Sequence, residues 1–135
     1  MKKILIILTF LLVFFNLKIL FAQDIIYNFN NENNLKEWMI VNDDVMGGVS
    51  TSNLSINKDS NGVFGGKIST AYNGGFASVR YNCKRIYIKE KKNIKLKIKG
   101  DKKEYQLRIK ANTNDYYSYI HPFKTTGKWE EITIP

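Results

Sequence analysis

The chain is poor in the residues that build covalent frameworks and catalytic centres. Of its 135 residues one is cysteine, one is histidine and two are proline. A lone Cys83 excludes an intramolecular disulfide, so the fold must rest on packing; the thiol is expected half-buried at a strand end. No Ser-His-Asp order, zinc-ligand spacing or phosphate-binding loop accompanies the lone His121. After residue 22 no stretch keeps helical periodicity, which leaves little room for a helical domain. No internal repeat or low-complexity linker divides the chain.

What is present begins with a leader. Lys2 and Lys3 precede an apolar run over residues 4–15, and Leu20-Phe21-Ala22 ends in a small residue before Gln23. That is the layout of a cleaved secretory signal. Asn16 and Lys18 interrupt the run, which falls short of the ~20 residues of a spanning helix. No cysteine follows it to carry a lipid. The reading is a signal helix over residues 1–22 and export to a periplasmic or extracellular location; the alternative is anchorage by an uncleaved leader. Once the signal is removed, no stable membrane insertion is expected.

The remaining 113 residues suffice for one domain, assigned to residues 24–135. The whole chain has a net charge of +9; without Lys2, Lys3 and Lys18 it keeps 18 basic against 12 acidic residues, a net +6. Basic surfaces suit polyanions, but export argues against nucleic acid, and the lysines alternate along strands as solvated faces do.

Alternation and turn residues predict strands over 24–29, 38–41, 53–56, 63–72, 76–81, 93–99, 105–111, 116–123 and 129–134. Ile25, Tyr27 and Phe29 fall at period two, and Trp38 is a core anchor. The cluster Asn57 to Gly62 signals a hairpin. Ile94, Leu96 and Ile98 alternate with Lys95, Lys97 and Lys99, and Tyr105, Leu107 and Ile109 with Gln106, Arg108 and Lys110. These two runs are expected to pair with each other across Gly100-Asp101-Lys102-Lys103. Short strands with frequent turns indicate an all-β, antiparallel sandwich or barrel.

Two glycine-bearing stretches organise this pattern: Val41-Asn42-Asp43-Asp44-Val45-Met46-Gly47-Gly48-Val49-Ser50, and Asn73-Gly74-Gly75-Phe76-Ala77-Ser78-Val79-Arg80. Asp43 and Asp44 are turn formers whose carboxylates reach nearby backbone donors. Met46 is expected to fold back and fill a gap. Arg80 on a strand face needs an anion, a carbonyl or water, and a pairing with Asp43 or Asp44 would tie strand to loop. The candidate binding residues are therefore Asp43, Asp44, Met46, Gly47, Gly48, Gly74, Gly75, Phe76 and Arg80.

With Trp38 before them and Phe64-Gly65-Gly66-Lys67-Ile68-Ser69 between them, these stretches resemble the complex I intermediate-associated protein 30 domain family. The resemblance runs from about Asp24 to the end of the chain. It implies a galactose-binding-like jelly-roll β-sandwich and a non-catalytic binding module, similar to factors that hold intermediates of respiratory complex I during assembly. The chain departs from the family pattern at Asp44, where a glycine or similar residue is usual. It also stops at Pro135, where family domains continue with further strands, so it is expected to be incomplete at its C-terminal side with an unpaired edge.

Two other readings stay open. Tyr116, Tyr117 and Tyr119, with His121 and Phe123, could stack on sugar rings, making the chain an exported carbohydrate-binding module. Asn42, Asp43 and Asp44 carry oxygen ligands of the hard-cation kind, yet their spacing matches no ligand loop and they are read as a turn. No catalytic residue, metal or cofactor is assigned. The expected partner is a protein or a glycan.

Overall fold

The computed structural model describes residues 24–29, 35–88 and 91–135; residues 1–22, expected to be a signal helix, lie outside them. Among the described residues there are eight strands and three short 3-10 turns, with no α-helix. Every strand pairing is antiparallel. The chain divides into two compact units, one ending at Cys83 and the other beginning at Lys84.

In the first unit, β1 (Trp38–Asn42) pairs with β4 (Ala77–Tyr81), setting Trp38 opposite Tyr81 and Asn42 opposite Ala77. The second ribbon joins β2 (Thr51–Ile56) to β3 (Gly62–Lys67), with Ile56 opposite Gly62. Its turn is closed by Asn57, whose Oδ1 accepts the amides of Asp59 at 3.0 Å and Asn61 at 2.9 Å. Ser60 takes the left-handed conformation there, at φ 58°.

A cluster of rings anchors this unit. Trp38 stacks on Phe29 at 5.3 Å and on Tyr81 at 4.9 Å, and Tyr27 meets all three edge-on. The segment 24–29, expected to be a strand, is irregular. Its period-two signal marked the two rings that turn into the cluster, while Ile25 remains exposed. The strand expected over 63–72 also stops early, at Lys67. Ser69 is diverted: its amide donates to Ser50 Oγ at 2.9 Å and its hydroxyl accepts the Ala71 amide at 3.3 Å. The chain then turns through Ala71–Asn73. Cys83, past the end of β4, is exposed rather than half-buried.

The second unit contains β5 (Ile94–Lys99), β6 (Glu104–Ile109), β7 (Tyr119–Lys124) and β8 (Trp129–Ile134). The expected hairpin between the two alternating runs does not form: β5 pairs with β8, and β6 pairs with β7. Charge gives the reason. The lysine row of β5 meets the acidic β8, where Lys95 Nζ lies 2.7 Å from Glu131 and Lys97 sits over the Trp129 ring at 5.9 Å. Against β6 the same row would face Arg108.

Ile134 is buried opposite Ile94, and Tyr105 stacks on Phe123 at 6.1 Å. Thr125, also buried, ties the end of β7 to the turn before β6, its amide and hydroxyl both donating to Lys103 O at 3.0 Å. The strand expected to begin at Tyr116 starts only at Tyr119. Asp115 first closes a turn by accepting the Asn112 amide at 2.8 Å.

Candidate functional site

Between β1 and β2 the chain makes a 3-10 turn, Asp43–Met46, and this turn contains the most completely buried side chain of the described residues, Asp43 at 0% exposure. A buried carboxylate is costly unless its oxygens accept hydrogen bonds. Asp43 accepts four. Ser50 donates its amide to Oδ1 at 2.8 Å and its hydroxyl to Oδ2 at 2.6 Å. Gly75 and Phe76 donate their amides to Oδ2 at 2.6 and 3.3 Å. The backbone joins in: the Asp43 amide donates to Phe76 O at 3.2 Å, and Gly48 donates to Asp43 O at 2.9 Å. One carboxylate thus pins its own turn, the start of β2 and the glycine loop before β4.

The glycines follow from that closeness. A Cβ on Gly48 would overlap the Asp43 carboxyl carbon, and one on Gly74 would overlap Asp43 Oδ2. Gly47 ends the turn at φ 87°, in the left-handed region, where its amide donates to Asp44 O at 3.0 Å. Ser50 extends the network to the end of β3. Its single hydroxyl proton goes to the carboxylate, so its oxygen is free to accept from Ser69. Asn42, one residue before the aspartate, accepts the Ser52 hydroxyl at 2.6 Å.

Burial alone would raise the Asp43 pKa. The bonds from Ser50, Gly75 and Phe76 outweigh it and hold the group at about 2, below its ordinary 3.8. The carboxylate is therefore ionised at neutral pH, with one donor on Oδ1 and three on Oδ2. It has no proton to give as an acid. As Asn42 is likewise engaged by Ser52, the expected oxygen trio leaves only Asp44 facing outward. Among the described residues no group of three or more His, Cys, Asp or Glu side chains could hold a metal.

The candidate residues thus separate. Asp43, Gly47, Gly48, Gly74, Gly75 and Phe76 are brought together. Asp44 adjoins them and is exposed. Met46 does not fill a gap: it is 71% exposed, with Val45 at 68%, because the carboxylate rather than apolar packing folds the loop back. Arg80 does not tie strand to loop. Ser50 and the amides of Gly75 and Phe76 occupy the Asp43 carboxylate, while Arg80 lies exposed on β4 opposite Met39. Tyr116, Tyr117 and Tyr119 belong to the other unit and are all exposed, Tyr117 meeting Tyr119 edge-on at 6.0 Å. Sequence reasoning missed the roles of Ser50 and Ser69. Both stand inside the quoted motifs, but no spacing rule links an aspartate to a serine seven residues on.

These features define a class: an antiparallel β protein whose glycine loops are gathered on one buried carboxylate. A family model described as Complex I intermediate-associated protein 30 (CIA30) matches residues 27–135, and the chain belongs to that family. No curated protein and no solved structure matches it.

Proposed function

We propose that the chain is a non-catalytic binding module of the assembly-factor kind, which holds a protein partner at the loop clamped by Asp43. One observation carries this reading: a polar clamp fixes the loop while its apolar side chains point outward. Val45, Met46, Val49 and Phe76 are exposed around a buried carboxylate that accepts four hydrogen bonds. Rigid loops presenting apolar side chains lose little entropy on binding and form effective contact surfaces. The family's description, which speaks of association with complex I intermediates, supports a partner within a respiratory assembly. Export directed by residues 1–22, and a galactose-binding-like jelly roll over residues 24–135, belong to the same proposal.

Cross-linking in the native cell, with a photoreactive residue in place of Met46, tests the partner. Adducts with subunits of a membrane respiratory complex are the expected outcome. Labelling no stronger than from an exposed control position such as Lys58 would sink the reading. N-terminal sequencing of the mature protein tests the leader.

A second reading is favoured by the exposed tyrosines of the other unit. Tyr116, Tyr117 and Tyr119 could meet a glycan, although the edge-on Tyr117–Tyr119 pair makes a corner rather than a flat platform. Retention on a glycan array, lost in Tyr116→Ala, would establish it.

A further inference from the structure

The charge of the chain is divided unevenly between its two units. From Lys84 to Pro135 there are 14 basic and 6 acidic residues, a net +8, whereas residues 24–83 carry 4 basic and 6 acidic residues, a net −2. The basic unit opens with Lys84-Arg85-Ile86-Tyr87-Ile88, an irregular segment whose residues are all exposed. Three large apolar side chains stand in water there: Ile86 at 44%, Tyr87 at 82% and Ile88 at 56% exposure. Arg85 lies over the Tyr87 ring at 5.7 Å. Lys92 follows shortly after.

We propose that residues 84–88 dock the protein on an anionic lipid surface, peripherally and reversibly. Apolar side chains flanked by basic ones match the boundary between headgroups and acyl chains. The isoleucines enter the apolar side, tyrosine rests at the interface, and the cations remain among the phosphates. The surplus of positive charge over the rest of the unit adds long-range attraction to the same surface. A nucleic acid fits less well. Two isoleucines offer bases neither stacking faces nor hydrogen bonds, and Tyr87 is the one ring in the segment on which a base could stack. This docking is independent of the Asp43 loop and of what that loop binds.

The test is flotation of the full chain with phosphatidylcholine vesicles, with and without phosphatidylglycerol, at low and high salt. Recovery with the anionic vesicles is expected to exceed that with neutral ones about ten-fold and to fall as salt screens the charges. The double variants Ile86→Ser with Ile88→Ser, and Lys84→Glu with Arg85→Glu, should each lower recovery about ten-fold while the circular dichroism spectrum stays unchanged. Both variants keep the leader, so a loss on substitution belongs to residues 84–88. Equal flotation with neutral vesicles, or undiminished flotation of either variant, overturns the proposal. So does retention on a single-stranded oligonucleotide or on polyglutamate without retention on vesicles.

Discussion

Ser50 closes on both oxygens of Asp43, through its amide to Oδ1 at 2.8 Å and through its hydroxyl to Oδ2 at 2.6 Å. The two residues lie on either side of a glycine pair, so this contact fixes the width of the loop between them. Asp43 serves as an ionised acceptor here, because Ser50, Gly75 and Phe76 all donate to its carboxylate.

Replacing that acceptor tests the clamp. In Asp43→Asn an amide N–H₂ must face Ser50 or the Gly75 amide, setting donor against donor. The variant should melt lower by about 10 °C, with cleavage by a nonspecific protease appearing in the 43–50 loop. Ser50→Ala removes only the hydroxyl and should cost about 1–3 kcal/mol. If Asp43→Asn melts with the wild type, the carboxylate is not what holds the loop.

The clamp also fixes a pH dependence. The pKa of Asp43 is lower folded, about 2, than its ordinary 3.8. Its contribution is therefore complete above pH 3.8 and is lost as pH falls through about 2. Asp101 shifts the same way, to about 2, through hydrogen bonds from Lys103 and Tyr105. Urea midpoints measured across this range should fall with acid in the wild type, less steeply in Asp43→Asn, and less steeply again when Asp101→Asn is added. An acid limb that keeps its slope in the double variant would assign the loss to other groups.

Much of this architecture could be read in the sequence, and the failures share a cause. Strand β8 and the alternation of β5 were legible because period two is a local signal, set by which side chains face water. The pairing of β5 with β8 was not, because it depends on Glu131 and Trp129, some thirty residues away along the chain. Glycines 47, 48, 74 and 75 announced a special loop, and the loop is there. Its keystone was misjudged: Met46 carried the apolar signal and Arg80 the charge, yet an uncharged serine satisfies the carboxylate. Segment 24–29 shows the same limit. Periodicity reported which rings point inward and said nothing of whether the backbone forms a strand.

Exposure on the clamped loop separates binding from stability. Val45→Ser and Met46→Ser should change unfolding free energy by no more than about 0.5 kcal/mol, as surface substitutions do. Gly48→Ala should behave oppositely, because its methyl group would enter the space of the Asp43 carboxyl. Denaturant titration distinguishes these results. Marked destabilisation by Met46→Ser would return that side chain to the core and remove it from any contact surface.

The aromatic anchor yields the last expectation. Trp38 lies between Phe29 and Tyr81, yet its buried Nε1 has no hydrogen-bond partner among the described residues. A buried donor left unpaired weakens the fold that contains it. Trp38→Ala should cost about 3–5 kcal/mol by removing the ring on which the other three pack. Trp38→Phe keeps a ring between Phe29 and Tyr81 and eliminates the unpaired N–H, so it should cost less than about 1.5 kcal/mol. Equal losses in the two variants, read from denaturant midpoints, would mean that the indole's second ring, rather than its place in the stack, is what the cluster requires.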